Sequence, residues 1–174
     1  VVKGNARKVR RIGGGQVLLA EHSNPQGAIA TQLITGGTLE NVDNTISGYG
    51  LLGGGTLSLA NDAAGTIDAT AATLLVDTGA AAVTNAGLME ATGATLELRG
   101  IIDSRTGGVL VASTMFGTGG TLLLDGGTVK AGIVTTDANS ALRVTTAGTL
   151  DGGTGAVTLN AGSRAIVDGN ASLK

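Results

Sequence analysis

Asp68 and Glu90 are the residues of this chain whose type and spacing come nearest to a catalytic pair. They occupy the same place in two short alternating phrases, GTIDA and GLMEA, 22 positions apart. If the phrases form neighbouring strands, the carboxylates stand side by side, as the acid and base of polysaccharide-cleaving enzymes do. A solvated face with an unfavourable like-charge pair gives the same pattern, and we favour that interpretation. We therefore predict no catalytic residue and no enzymatic activity.

Two other patterns suggest chemistry and fail on their context. The run GYGLLG, from Gly48 to Gly53, matches the dinucleotide-binding motif G-x-G-x-x-G, which requires a following helix. Here the run continues as GGTLSLAN, which is typical of a strand, so we predict a glycine-rich corner. His22 is the only histidine and lies beside Ser23 in an apparent loop, with no sign of a catalytic partner. Neither pattern predicts a nucleotide site or a nucleophile.

A metal site is also not expected. The chain has no cysteine and one histidine, which excludes thiolate and histidine-rich sites. The phrase GGGTLSLAN carries Thr and Ser where a calcium-binding glycine repeat needs Asp. Asp43, Asp62 and Asp103 could chelate an ion only by accident. We predict no metal and no cofactor.

The composition is that of one folded domain. Of 174 residues, 31 are Gly and 1 is Pro, without the period of collagen. Hydrophobic residues make up 42% and charged residues 14%, which argues against disorder. The chain contains no apolar run of about 18 residues, the length that a membrane-spanning helix needs. We expect no membrane-spanning segment.

The charge is distributed unevenly. Five of the eleven basic residues lie among the first eleven positions, and residues 12–174 carry a net charge of −7. The basic residues of this first segment are Lys3, Arg7, Lys8, Arg10 and Arg11. We interpret residues 1–30 as a solvated basic arm with irregular first turns, and residues 31–174 as the repeat domain. Nucleic acid is not an expected partner, because no aromatic residues accompany the basic ones and the remainder is acidic.

A repeat of about 21 residues dominates the chain. Large apolar residues recur about every seven positions, and every third one lies at the centre of the same short phrase: Ile46, Ile67, Met89, Leu110, Val129 and Leu150. Each phrase alternates apolar and polar residues, which indicates a strand, and no window has the apolar stripe of a helix. The pattern predicts an all-β fold, a single-stranded parallel β-helix with about seven three-sided turns of about 21 residues. We predict a right-handed coil, because left-handed coils favour hexapeptide sides.

Stacking of the turns predicts columns of side chains. The six apolar residues at the centres of these phrases are predicted to form one inward column. Phe116, which also falls on the seven-residue spacing, is predicted to lie in the core. A second, slim inward column is Gly48, Ala69, Ala91, Ala112, Ala131 and Gly152. The outward column between them is Ser47, Asp68, Glu90, Val111, Lys130 and Asp151. A broken column of Thr45, Thr66, Thr128 and Thr149 leaves an ice-binding face as a minor alternative.

The corners between strands are predicted from their glycines and amides. Gly can adopt positive φ without steric cost, and Asn or Asp can cap nearby amides. The glycines predicted to turn the chain at the same side are Gly65, Gly87, Gly108, Gly127 and Gly148. The predicted capping residues are Asn44, Asn85 and Asp125.

The phrases GGTLENVDNTISGYG, TLSLANDAAGTIDA and TNAGLMEATGATLEL resemble the repeat regions of very large bacterial secreted proteins. These are the passengers of autotransporters and the filamentous-haemagglutinin-like adhesins, and the resemblance covers roughly residues 31–170. It implies export to the medium or the cell surface and a role as stalk, adhesin or extracellular fibre. The family has no shared catalytic residues to carry over.

We therefore expect a structural or interaction protein, a segment of a surface adhesin or extracellular filament that touches a host or matrix surface. A carbohydrate-binding or polysaccharide-degrading β-helix is the alternative. The sequence shows no helical cap at the end of the rod, which predicts either flanking repeats or copies stacked end to end. The outward residues Leu88, Val109 and Val111 would add side-to-side contacts between rods.

Overall fold

The computed structural model describes residues 9–12, 16–19, 22–23, 29–30, 33–130, 132–153 and 155–174. These residues form strands, turns and bends without a helix. It follows that no described segment is a helix long and apolar enough to cross a membrane. Most of the predicted basic arm, including residues 1–8, lies outside the described residues, whereas Arg10 and Arg11 lie in the first strand.

The described residues contain twenty-one strands, most of which are short. They are β1 (Val9–Ile12), β2 (Gln16–Leu19), β3 (His22–Ser23), β4 (Ile29–Ala30), β5 (Leu33–Asn41), β6 (Thr45–Asn61), β7 (Thr66–Asp77), β8 (Val83–Asn85), β9 (Leu88–Thr92), β10 (Thr95–Arg99), β11 (Ile101–Asp103), β12 (Val109–Met115), β13 (Thr118–Gly119), β14 (Thr121–Asp125), β15 (Thr128–Lys130), β16 (Ile133–Thr136), β17 (Ala141–Thr145), β18 (Thr149–Asp151), β19 (Ala156–Leu159), β20 (Arg164–Val167) and β21 (Ser172–Leu173).

The strands wind into a coil with three sides, and each side is a parallel sheet running along the rod. Side A contains β2, the starts of β6 and β7, β9, β12, β16 and β19. Side B contains the start of β5, the middle of β6, the end of β7, β10, β14, β17 and β20. Side C contains β1, the ends of β5 and β6, β8, β11, β15, β18 and β21. The predicted β-solenoid is confirmed, with about six turns.

Alternation along each strand separates core from surface as the sequence predicts. In β7, Ile67 and Ala69 are fully buried, whereas Asp68 between them reaches solvent. Burying an aliphatic side chain of this size stabilises a fold by about 1.5–3 kcal/mol. The core repeats this unit on all three sides, so the apolar residues of successive turns form continuous columns.

The predicted first inward column is correct for four turns and then wrong. Ile46, Ile67, Met89 and Leu110 pair in sequence on side A, but the next members are Val134 and Val157. Val129 and Leu150 lie instead on side C, where they follow Ile102 in its inward column. The shift arises because Val134 follows Leu110 by 24 positions, so a constant repeat of 21 loses register there.

The slim column changes at the same turn. Gly48, Ala69, Ala91 and Ala112 are neighbours on side A, but Thr136 and Leu159 follow them. Gly152 is therefore not a member of this column, and Ala131 lies outside the described residues. Likewise Thr135 and Thr158 follow Val111 in the outward column, whereas Lys130 and Asp151 lie on side C.

An inserted hairpin causes the loss of register. Thr114 and Met115 of β12 pair antiparallel with Gly119 and Thr118 of β13. The two residues between them, Phe116 and Gly117, have φ of 51° and 84°, the positive values of a type I′ turn. Phe116 is 100% exposed at the tip, so its predicted core position is wrong. Because Phe116 falls on the seven-residue spacing of the core residues, the inserted hairpin could not be recognised from that spacing.

The corner glycines are required for space and not for positive φ, contrary to the prediction. Gly65, Gly87, Gly108, Gly127 and Gly148 are all absent from the residues with positive φ. A Cβ on Gly87 would lie 2.3 Å from the carbonyl oxygens of Asp62 and Gly65. These glycines also divide between two sides, because the first three precede side A and the last two precede side C. The corner backbone is thus packed too closely for any side chain.

A ladder of buried amides joins the corners between sides C and A. The Nδ2 of Asn41 donates to Oδ1 of Asn61 at 2.7 Å, and Nδ2 of Asn61 donates to Oδ1 of Asn85 at 2.8 Å. The ladder ends where Nδ2 of Asn85 donates to Oγ of Ser104 at 3.1 Å. Of the predicted caps, Asn85 belongs to this ladder, and Asn44 is buried beside it, with its backbone N–H donating to Asn41. Such bonds satisfy the polar groups of a buried corner.

Candidate functional site

Asp68 and Glu90 are neighbours on the outward face of side A. They are direct partners in the register of β7 and β9, as the repeat predicts. Ser47 precedes them in the column and Val111 follows, so no basic residue is a register neighbour within this column. Adjacent strands of a sheet are about 4.8 Å apart. The two carboxylates therefore face each other across one strand spacing.

The environment raises the pKa of both carboxyl groups. Partial burial raises the pKa of Asp68, and hydrogen bonds from the side chain and backbone of Thr92 oppose this rise. Burial also raises the pKa of Glu90, and the negative charge of Asp68 adds to the effect. Oδ1 of Asp68 is buried without a hydrogen-bond partner. The pair is thus able to retain a proton at a pH where an isolated carboxyl group loses it.

We expect this pair to make the rod less stable at neutral pH than in mild acid. Because the folded-state pKa values lie above the unfolded ones, proton binding by the pair stabilises the fold. This stabilisation is fully present below the unfolded pKa values, about 4. It is lost as the pH rises through the folded values. Glu90→Gln should therefore raise the stability at pH 7 by up to about 1 kcal/mol and have little effect near pH 3.

Thermal unfolding of Glu90→Gln and of the unaltered chain between pH 3 and pH 8 measures this difference. Asp103 provides the opposite control, because the Arg105 side chain holds its pKa at about 2. The stabilising effect of that pair is present above the unfolded pKa and is lost as the pH falls toward 2. A Glu90→Gln difference that is constant with pH would contradict the assignment to the acidic pair.

Side C carries a second group of ordered charges. Nε and Nη2 of Arg105 donate to the two carboxylate oxygens of Asp103 at 2.9 and 2.6 Å. Lys130 lies next to Asp103 in the adjacent strand, and Asp151 follows Lys130. The predicted adjacency of Lys130 and Asp151 is confirmed, although on a different side from Asp68. The alternating signs form a charged column on the surface of the rod.

The remaining candidates lie in structural positions. Gly48, Gly50 and Gly53 have φ of 124°, 120° and 128° inside β6, and the strand continues after them without a helix. His22 and Ser23 form β3, which pairs antiparallel with β4. Within the described ranges, no three His, Asp or Glu side chains are grouped closely enough to hold a metal ion. This includes Asp43, Asp62 and Asp103.

The predicted threonine column does not form. Thr45 and Thr66 are neighbours on side A, whereas Thr128 and Thr149 are neighbours on side C. Leu88 and Val109 follow Thr66 on side A, and Ile101 precedes Thr128 on side C. These four residues thus provide two short pairs on different faces and do not form one column.

Comparison with known proteins gave no match. No protein-family model fits the chain, and neither curated proteins nor solved structures are significantly similar to it.

Proposed function

We propose that this chain is a structural and interaction protein, a β-solenoid segment of a bacterial surface adhesin or extracellular filament that assembles end to end. The observation that carries this proposal is the uncovered final turn. Val157, Val167 and Leu173 are 44%, 45% and 53% exposed, although their column neighbours Val134, Val144 and Leu150 are at most 3% exposed. A further turn, from flanking repeats or from another copy, would bury these side chains.

The backbone of the final turn favours the same addition. β19, β20 and β21 pair with the preceding turn. Their other edges present unpaired N–H and C=O groups, which template the addition of strands. At the opposite end, β2 places Val17 in the column that ends with Val157. Copies stacked by one rotation and rise continue this column and build an open filament.

Arg10 distinguishes stacking of copies from flanking repeats. It pairs with Leu39, a core residue of side C, so it occupies a core register position in the first turn. A stacked copy brings Leu173 opposite Arg10, which is an unfavourable match. Arg10→Leu should therefore increase end-to-end assembly, and Leu173→Lys, which places a second cation opposite Arg10, should reduce it.

Light scattering and electron microscopy of the isolated chain at high concentration test the proposal. We expect fibres or large oligomers, more of them for Arg10→Leu and fewer for Leu173→Lys. Thr158→Lys, in the same turn but on an outward position, is the matched control and should assemble like the unaltered chain. A monodisperse monomer for both the unaltered chain and Arg10→Leu would exclude the filament and leave the segment of a longer chain.

The acidic pair favours a second candidate, a carbohydrate-active β-helix. Glycoside hydrolases use a pair of carboxyl groups, of which the general acid has a raised pKa. Asp68 and Glu90 are neighbours, and both have raised pKa values. Release of reducing sugar from acidic or neutral polysaccharides, abolished in both Asp68→Asn and Glu90→Gln, would establish it. If the protein is structural, we expect no release of reducing sugar. The structural proposal also includes secretion to the medium or the cell surface.

A further inference from the structure

The outward face of side B carries aliphatic side chains that the core does not use. From β6 to β20, its central outward column, taken turn by turn, is Leu51, Leu75, Glu97, Leu123, Arg143 and Ile166. The four aliphatic members are half-buried and still touch solvent. The outward positions of a solvated sheet normally hold polar residues. Leu51 and Leu75 are adjacent in this column, whereas Glu97 separates Leu75 from Leu123 and Arg143 separates Leu123 from Ile166.

From Leu75 to Ile166 the order of this column is symmetric about Leu123, and Leu51 lies beyond the paired stretch. A two-fold axis along β14 places Leu123 against its own copy and reverses the direction of the second rod. The same operation brings Glu97 opposite Arg143, and Leu75 opposite Ile166. Each half of the column thus gains one pair of opposite charges and one apolar pair, the self-complementarity that an isologous contact requires. We propose that side B is the contact surface between two antiparallel copies of this rod.

The exposed hairpin lies on the same turn as the proposed axis. β12 and β13 lead directly into β14, the strand along which the axis runs. The two-fold axis therefore brings the hairpins of the two copies next to each other at one edge of side B. Phe116, fully exposed in a single rod, then has its own copy as a neighbour. Aromatic pairs of this kind stabilise a contact beyond the effect of their buried area alone.

Ion pairs within one rod are compatible with this arrangement. Nη2 of Arg99 lies 2.7 Å from Oε1 of Glu97 and 3.1 Å from Oδ2 of Asp125. Asp125 meets its own copy across the axis, and Arg99 compensates this like-charged contact. Arg143 lies 3.7 Å from Asp168, beyond hydrogen-bond distance, so the guanidinium retains donors for Glu97 of the second copy.

The size of the face predicts a weak contact. Six turns about 4.8 Å apart and three outward columns about 6.8 Å apart give about 590 Å² per rod. A stable interface typically buries about 800 Å² per partner. A single pair of rods should therefore associate transiently, whereas many turns in tandem strengthen the contact by multivalency. This contact joins rods sideways and is independent of end-to-end assembly.

Cross-linking of single-cysteine variants tests the register, because the chain has no cysteine of its own. The probe is a bis-maleimide with a spacer of about 8 Å, matched to the spacing of about 10 Å between packed sheets. Leu123→Cys should form covalent dimers alone, because the axis places this position against itself. Leu75→Cys should not do so alone, since its copy lies about 19 Å away along the rod. A mixture of Leu75→Cys with Ile166→Cys should form dimers.

Val111→Cys is the matched control, since Val111 is a half-buried outward aliphatic residue of the same turn on side A. Side A is the face on which the sequence predicted side-to-side contacts. Equal cross-linking of Val111→Cys and Leu123→Cys, or no dimer from Leu123→Cys near millimolar concentration, would overturn the proposal. End-to-end stacking does not bring the Leu123 positions together, so failure here leaves the filament proposal intact.

A charge on the axis provides the second test. Thr121 also lies on the axis, so Thr121→Cys provides a cross-linking site that leaves Leu123 unchanged. Adding Leu123→Lys to this variant places the lysines of the two copies against each other. We expect the yield of covalent dimer to fall at least about tenfold, with an unchanged circular dichroism spectrum. Adding Val111→Lys instead should leave the yield unchanged. An equal fall for both lysine variants would contradict a contact through side B.

Discussion

Ile67→Asp should unfold or severely destabilise the chain, by about 4 kcal/mol or more. Ile67 is fully buried between Ile46 and Met89 in the core column of side A. The introduced carboxylate has no basic partner within that column, so it must be buried unpaired or force the turn open. Thermal and chemical unfolding followed by circular dichroism measure the loss.

The adjacent outward residue gives the matched control. Asp68→Ala removes a carboxylate that faces Glu90 and leaves the core columns unchanged. We expect it to lose no more than about 0.5 kcal/mol of unfolding free energy at neutral pH, and relief of the repulsion with Glu90 should raise the stability by up to about 1 kcal/mol. Equal losses for Ile67→Asp and Asp68→Ala would show that the inward and outward positions are misassigned.

Asn61→Ala should cost about 3 kcal/mol, an unusually large effect for a truncated amide. Asn61 lies at the centre of the amide ladder and is 1% exposed. Its Nδ2 donates to Oδ1 of Asn85 and to the backbone carbonyl oxygens of Gly65 and Leu88. Its Oδ1 accepts a hydrogen bond from Nδ2 of Asn41. Truncation leaves several buried groups without partners, and water has no direct access to replace them. Denaturant unfolding measures the cost.

Asn160→Ala is the control for this truncation. The Asn160 side chain is exposed, and its Nδ2 donates to Oδ1 of Asp137 at 2.9 Å. Because water can replace that single bond, we expect a change of less than about 0.5 kcal/mol. If the two variants lost stability equally, the amide ladder would have no special role in holding the corners.

The sequence predicts the fold because the core obeys two simple rules. Strand alternation assigns inward and outward residues correctly at Ile67, Asp68 and Ala69, and the repeat places Asp68 beside Glu90. Both depend on local periodicity, which backbone geometry imposes on every turn.

Register after Leu110 is not predictable from a constant period. The hairpin at Phe116 adds residues between sides A and B, and an apolar residue at its tip resembles another core position. The doubled interval between Leu110 and Leu122 is the signal that reveals the insertion once Phe116 is omitted. The corner glycines were predicted for the wrong reason because steric contact with the neighbouring turn, unlike φ preference, depends on stacking.

The amide ladder leaves a sequence signal that the 21-residue period conceals. Asn41, Asn61 and Asn85 each follow a core residue by two positions, at Leu39, Leu59 and Val83. Their intervals of 20 and 24 residues differ from the average repeat, so they do not align in a fixed frame. A search for this local pattern, without a constant period, would align the corners of side C.

A single distance along the rod tests the stacked coil most directly. Glu40 and Asp151 occupy outward positions of one column on side C, and five steps of pairing separate them. Spin labels on Glu40→Cys and Asp151→Cys, measured by double electron–electron resonance, should give a narrow distribution near 24 Å, five strand spacings. A broad distribution, or a mean beyond about 35 Å, would contradict a continuous parallel solenoid between these residues.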